Sequence, residues 1–149
     1  MTEIIILGVF VADTTFTATK LPKMGETVKG DSFEIGPGGK GSNQAIAAAR
    51  LGAQVTIISR LGSDEFSRMA DKIWLKENVR AVVKRDDQNS TGAAFVFVDK
   101  NTADNAIIVT PGAAALMGKK FVQSVEAEIK KSKIFITQLE QPLEAAEEG

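Results

Sequence analysis

Four short and mainly apolar runs are the main pattern of the sequence. They occupy residues 4–11, 55–59, 79–83 and 134–136. Continuous apolar runs of this length are typical of strands that are buried on both faces, as in a parallel sheet. The polar triplet at residues 13–15 follows the first run and is predicted to end that strand.

Helical periodicity appears between these runs. Two predicted helices carry apolar residues on one face: Phe66, Met69, Ile73 and Trp74 in the first, and Phe121, Val122, Val125 and Ile129 in the second. Ser42 is a candidate N-cap for a further helix that ends near Leu51, and Pro142 suits the first turn of a last one. Strands and helices therefore alternate, which predicts a parallel-sheet α/β layer domain spanning residues 1–149.

Two segments do not fit this alternation. Residues 27–35 alternate between apolar and polar, and residues 91–98 and 105–110 flank a polar turn, as in a β-hairpin. These patterns predict a small antiparallel sheet outside the main one, formed by segments at about 14–36 and 91–110.

Composition excludes several kinds of chemistry and partner. The chain has no cysteine and no histidine, which excludes disulfides, cysteine-ligated zinc and a Ser-His-Asp arrangement. A net charge of −1 argues against nucleic acid as a partner. The first apolar run is too short to span a bilayer, and no Lys or Arg precedes it as in a secretory signal. We therefore expect no membrane partner and a cytoplasmic location.

The glycine-rich stretch from Gly36 to Gly41 is predicted to be a loop. Gly36-x-Gly38-x-x-Gly41 matches the dinucleotide fingerprint, and Arg60 could contact a 2′-phosphate, so an NADP-binding Rossmann-type domain is one alternative. The fingerprint should directly follow the first buried strand, however, and here roughly 25 residues intervene. A connector without a ligand is a second alternative. A third is a binding loop, because Asn43 falls in the first turn of the following helix, where an amide could contact a hydroxyl-rich ligand.

The stretch resembles the first signature of the ribokinase family of carbohydrate kinases. The resemblance rests on Gly38-Gly39-Lys40-Gly41-Ser42-Asn43-Gln44-Ala45, Ala48 to Gly52, and Gly62-Ser63-Asp64, with supporting pieces at Gly8, Asp13, Pro22 to Thr27, Ser90-Thr91-Gly92 and Gln138-Leu139-Glu140. It covers essentially the whole chain and corresponds to the N-terminal half of the family.

The resemblance implies a ribokinase-like fold with a β lid and a role for each matching residue. Asp13, Asn43 and Glu140 would bind sugar hydroxyls. Gly39 and Lys40 would bring backbone and an amine to the sugar, and Gly38, Gly39 and Gly41 would form the lid hinge.

The implied activity is transfer of the ATP γ-phosphate to a hydroxymethyl group of a sugar or nucleoside, with Mg²⁺ and, as a further option, a monovalent cation. The family's second signature, which carries the catalytic base, has no counterpart in this sequence. We therefore predict no catalytic residue, no metal ligand and no ATP site here, and expect the chain alone to be inactive. The strands of the small sheet would leave exposed edges, which predicts that two lids pair across a homodimer.

Two departures from the family pattern each remove a polar contact, which weakens the case for ribose as the substrate: Val11 stands where the pattern has Asn, and Ala114 stands where it has Asn after Gly-Ala. A non-catalytic sugar-binding or interaction module is a further alternative. It would be expected to end after a completed helix, whereas this sequence ends within the helix that begins near Pro142.

Overall fold

The computed structural model describes residues 4–149, which form two four-stranded sheets and four α-helices. In chain order the elements are β1 (Ile4–Leu7), β2 (Val11–Ala18), β3 (Ser32–Gly38), α1 (Lys40–Arg50), β4 (Val55–Gly62), α2 (Glu65–Lys76), β5 (Arg80–Asp86), β6 (Thr91–Asp99), β7 (Asn105–Gly112), a 3₁₀ helix (Ala113–Leu116), α3 (Lys119–Ile129), β8 (Ile134–Thr137) and α4 (Leu143–Glu148). None of the helices in residues 4–149 is long and apolar enough to cross a membrane.

The large sheet is parallel, with strand order β5-β4-β1-β8, as the apolar runs predict. β1 is central and is buried on both faces: Ile6 packs with α1 and α2, whereas Ile5 and Leu7 pack with α3 and α4. Trp74 is fully buried beneath α1, and its indole N–H donates to the buried hydroxyl of Ser42 over 2.9 Å. Helices thus cover both faces of the sheet, which is the three-layer α/β arrangement.

The small sheet has the order β3-β2-β6-β7 and is mixed, not purely antiparallel as predicted. The β2–β3 and β6–β7 pairs are antiparallel, but β2 and β6 run parallel from Val11↔Gly92 to Ala18↔Asp99. The prediction failed because β2 was not recognised as a strand of its own.

The chain changes sheets between Leu7 and Val11. The first apolar run was predicted to be one strand that ends at Asp13, but β1 stops at Leu7, and Asp13 lies within β2. Val9, Phe10 and Val11 remain buried across this break, so the hydrophobic pattern gives no sign of it.

The glycine stretch is not the predicted loop. Gly36 and Gly38 belong to β3, where they pair with Asp13 and Val11, and α1 begins directly at Lys40 with Gly39 as its N-cap. Ser42 is therefore inside the helix and does not cap it. Gly39 makes this abrupt change of direction with φ 89° and ψ 128°, a conformation that essentially only glycine adopts.

The Gly62-Ser63-Asp64 and Ser90-Thr91-Gly92 segments meet where the two sheets join. Asp64 caps α2 by accepting from the backbone N–H of Ser67 (2.9 Å), and its other oxygen accepts from the backbone N–H of Thr91 (2.7 Å). The Thr91 hydroxyl in turn accepts from the backbone N–H of Gly62 at 3.0 Å. These hydrogen bonds hold the start of β6 against the end of β4. Burial raises the pKa of Asp64, but the hydrogen bonds that its carboxylate accepts, mainly from Thr91 and Ser67, outweigh burial and lower it.

Candidate functional site

The candidate residues gather at the carboxyl ends of β1 and β8. After β1 the chain crosses to the small sheet. The strands that flank β1 in the large sheet, β4 on one side and β8 on the other, come later in the sequence. In open parallel sheets, ligands bind where neighbouring strands diverge in this way. The segment after β8 brings Glu140 to this edge, and the start of α1 brings Lys40.

Glu140 and Lys40 form a two-point contact across 100 positions of sequence. The backbone N–H of Lys40 donates to one carboxylate oxygen of Glu140 (2.9 Å), and the Lys40 ammonium donates to the other (2.5 Å). A carboxylate is favoured at this place because it faces the unsatisfied N–H groups of the first turn of α1. The exposed loop lysine expected from the sequence is therefore the first residue of a helix and is paired.

Asp13, on β2, lies close enough to Glu140 for the two carboxylates to repel each other. Its pKa is raised, first by burial and second by repulsion from the charge of Glu140. The carboxyl group lies directly over Gly38, where any β-carbon would overlap it. Asp13 thus reaches the site from the small sheet, and not from the end of β1 as predicted.

Gly39 and Gly41 are held by close backbone contacts. A β-carbon on Gly39 would lie 2.6 Å from the carbonyl oxygen of Val9 and 2.9 Å from the α-carbon of Phe10. One on Gly41 would lie 2.6 Å from the α-carbon of Gly8. The density of glycine here is explained by helix α1 starting in direct contact with the backbone between β1 and β2.

Gln138 lies behind this contact, and sequence reasoning had assigned it no separate role. Its side chain is buried, its amide nitrogen donates to the Gln44 side chain at 2.5 Å, and its oxygen faces Gly8 and Gly41 without a hydrogen-bond partner among residues 4–149. The amide therefore links the segment after β8 to the first turns of α1. Its place in the Gln138-Leu139-Glu140 motif was the available signal.

Asn43 lies one turn along α1 from Lys40, and residues three apart share a face of a helix. Its side chain is exposed and forms no hydrogen bond with any other residue in the described range 4–149. The amide can therefore both donate and accept toward a ligand at the start of α1.

A small cleft opens beside these polar groups. Its volume is about 170 Å³, and its lining consists of four apolar residues and one carboxylate: Val9, Val11, Val109, Pro111 and Glu140. The small sheet supplies Val11, Val109 and Pro111, so the cleft lies between the two sheets. An apolar wall with a few polar groups at one end is typical of a site for a small polar molecule with carbon faces.

The arrangement suits the binding of hydroxyl groups. Asp13 and Glu140 are acceptors, the Lys40 ammonium is a donor, and the Asn43 amide is both. Within residues 4–149 no group of three or more acidic side chains is placed to hold a metal ion. The dinucleotide interpretation also fails on geometry. Gly36 and Gly38 lie in β3 of the small sheet and Gly41 lies in α1, so the motif does not join the first parallel strand to its helix.

Known proteins are similar to this chain in sequence and in fold. The profile of "pfkB family carbohydrate kinase" matches residues 1–144. Ribokinase from Haemophilus influenzae is 37% identical over 143 residues, covering 95% of this chain and 46% of the relative. Deoxyribokinase from Salmonella typhimurium is 31% identical over 143 residues, covering 95% of this chain and 46% of the relative.

The structure of Arabidopsis thaliana ribokinase complexed with ribose and ATP superposes with a TM-score of 0.75 at 26% identity. That match covers 99% of this chain and 50% of the Arabidopsis chain. The chain thus spans about half the length of the curated relatives that it matches.

Proposed function

The chain belongs to the pfkB family of carbohydrate kinases, as a ribokinase-like member, and we propose that it forms the sugar-binding part of an enzyme that phosphorylates a sugar hydroxymethyl group. In this reaction the hydroxyl oxygen bonds to the γ-phosphorus of ATP, the bond to the β-phosphate oxygen breaks, and the hydroxyl loses its proton. The products are a sugar phosphate and ADP.

The observation that carries the proposal is the convergence of Asp13, Lys40 and Glu140 beside the cleft. Both carboxylates are acceptors for sugar hydroxyls. The pKa of Asp13 is raised in the absence of a ligand, and a hydroxyl donating to the ionised carboxylate would favour the charged form and offset this effect. The Lys40 ammonium holds Glu140 in position, and the Asn43 amide lies on the same face of α1.

ATP and Mg²⁺ are part of the proposal for the intact enzyme, and a monovalent cation is an option. ATP would supply the phosphoryl group, with Mg²⁺ neutralising its developing charge. The described residues offer no group of three acidic side chains for the ion. We therefore assign to this chain only the binding and orientation of the sugar, and expect it to bind sugar without phosphorylating it.

A pentose is the substrate class that we favour. The names of the two relatives, ribokinase and deoxyribokinase, both refer to pentoses. Val11 lines the cleft where the family pattern has Asn, so an apolar side chain faces the ligand at that point. A sugar with one hydroxyl fewer, such as 2-deoxyribose, suits an apolar wall better than ribose does, because no hydroxyl is left without a partner.

The small sheet would act as the lid over this site and as a dimer surface. Its outer face carries Phe16 and Phe33, whose ring centres are 4.7 Å apart. Phe16 is 40% exposed and Phe33 is 52% exposed. Ile108, on β7 at the opposite edge of this sheet, is 72% exposed. Exposed apolar side chains on a sheet are covered in many proteins by a second copy of the chain. We expect an Ile108→Lys substitution to weaken such a dimer, as measured by sedimentation equilibrium. A wild-type chain that stays monomeric at all concentrations would contradict the dimer proposal.

The test of sugar binding is isothermal titration of this chain with ribose, 2-deoxyribose, hexoses and nucleosides. We expect one pentose to bind and the Asn43→Ala variant to bind it up to about tenfold more weakly, since a hydrogen bond to a sugar hydroxyl is lost. Asn101→Ala is the matched control, because Asn101 lies in the distant β6–β7 turn. NADPH serves as the control ligand. Binding of NADPH without binding of any sugar, or equal losses in both variants, would refute the proposed function.

A further inference from the structure

A second cavity lies away from the candidate site, in the groove between β3 and α2. Its volume is about 500 Å³. The floor is mainly apolar and is formed by five side chains from two elements: Ile35 and Pro37 of β3, and Phe66, Met69 and Ile73 of α2. Apolar grooves of this size are typical of sites for small organic ligands. The groove shares no lining residue with the cleft beside Glu140.

The two walls of the groove belong to different layers of the molecule. β3 is an edge strand of the small sheet, and Ile35 is 47% exposed there. α2 packs on the large sheet through Trp74, which leaves Phe66, Met69 and Ile73 only partly buried. The apolar floor is therefore the junction of two layers that do not fully close on each other.

One rim of the groove is basic. Arg68, Lys72 and Lys76 are spaced four residues apart and so form one stripe along α2. The Arg68 guanidinium is paired with Glu65. Lys72 interacts at longer range with Glu65, which also lines the groove, and Lys76 interacts with Glu77, but neither ammonium group is closed into an ion pair or a hydrogen bond with a side chain in residues 4–149. Two ammonium groups beside an apolar floor are therefore available to an anionic group.

From this combination we propose that the groove binds a small amphipathic anion, that is, an apolar chain or ring that carries a carboxylate or a similar acidic group. The apolar part would lie on Ile35, Met69 and Ile73, and the acid would lie between Lys72 and Lys76. Burial of apolar area would supply most of the affinity. The two lysines would select an acid over a neutral molecule of the same shape, since charge complementarity mainly provides specificity.

The experiment is a ¹⁵N–¹H NMR titration of the 149-residue chain with octanoate, with 1-octanol as the uncharged analogue. We expect octanoate to shift the amide signals of Ile35 and of residues 66–76 and to bind more tightly than 1-octanol. In the Lys72→Gln/Lys76→Gln variant octanoate should bind about fivefold more weakly, as expected for the loss of two exposed charge contacts. The affinity for 1-octanol should not change.

The matched control removes the same charge elsewhere. Lys84→Gln/Lys120→Gln changes two exposed lysines on other elements and should leave the octanoate affinity unchanged. The proposal would be overturned by any of three results: equal binding of octanoate and 1-octanol, an equal loss of affinity in both double variants, or shifts confined to the outer face of the small sheet around Phe16 and Phe33. Each is distinct from failure of sugar binding, because neither ligand is a sugar.

Discussion

The single residue Gly39 joins β3 to α1 through an abrupt turn, so replacing it by alanine tests whether this turn is as constrained as the structure indicates. Its φ of 89° and ψ of 128° lie outside the regions that alanine favours. A non-glycine residue held in such a conformation costs about 1–3 kcal/mol.

Steric overlap adds to this backbone strain. The new β-carbon would meet the carbonyl oxygen of Val9 at 2.6 Å and the backbone nitrogen of Val11 at 2.9 Å. These are backbone atoms of the chain between β1 and β2, and they cannot rotate away as a side chain could. Relief therefore requires a backbone shift, which typically costs about 1–3 kcal/mol. We expect Gly39→Ala to lower the free energy of unfolding by about 2–6 kcal/mol.

Substitutions at two other glycines allow the backbone strain and the steric overlap to be measured separately. Gly52 has φ 91° but no atom near its potential β-carbon, so Gly52→Ala should lose only about 1–2 kcal/mol from strain. Gly36 has neither a positive φ nor a close neighbour. Gly36→Ala should therefore be neutral or stabilising by about 0.4–1 kcal/mol, because alanine reduces the entropy of the unfolded chain.

Urea unfolding followed by Trp74 fluorescence measures all three variants. For a chain of this size, 1 kcal/mol corresponds to roughly 2–4 °C in the melting temperature, so a thermal scan gives an independent value. The expected order of stability is Gly36→Ala, then Gly52→Ala, then Gly39→Ala. If Gly39→Ala were no less stable than Gly52→Ala, the result would refute the close approach of Gly39 to Val9. It would also refute the inference that the junction between β3 and α1 is rigid.

Two further predictions concern pH. Hydrogen bonds from Arg80 and Lys131 lower the pKa of Glu128 to about 2. The stabilising contribution of Glu128 is therefore present above the usual carboxyl pKa and is lost as the pH falls toward 2. We expect the Glu128→Gln variant to show a flatter pH dependence of the urea midpoint in that range. The pKa of Asp13 is raised by burial and by Glu140, so its charged form destabilises the fold once the pH rises through that pKa. Asp13→Asn should therefore raise the melting temperature at pH 7 while weakening sugar binding, and a lower melting temperature would contradict the raised pKa.

The sequence was sufficient for the elements whose patterns are local. Strands β4 and β8, the β6–β7 hairpin, and helices α2 and α3 follow from apolar runs and from the spacing of residues such as Phe66 and Ile73. These patterns match the structure because each buried face belongs to one element and one layer.

The failures have physical causes at two places. The apolar run of residues 4–11 spans two sheets, and burial on both sides of the break at Gly8 makes the pattern continuous. Gly36-Pro37-Gly38 has low strand propensity, but pairing with Val11 to Asp13 overrides it at a sheet edge, where proline is tolerated. The contact between Lys40 and Glu140 joins residues 100 positions apart, and no local pattern encodes it.

The same glycines that misled the secondary-structure prediction also explain how the candidate site is built. Gly38 leaves room for the Asp13 carboxylate, and Gly41 lets the first turn of α1 touch Gly8. Without these contacts, the free N–H groups of that turn would lie farther from the segment after β8. The Glu140 carboxylate could then not accept hydrogen bonds from both the backbone N–H and the ammonium group of Lys40. Close backbone packing therefore comes first, and the polar geometry depends on it. For this reason a larger side chain at Gly41 should disturb ligand binding even though glycine offers the ligand no functional group.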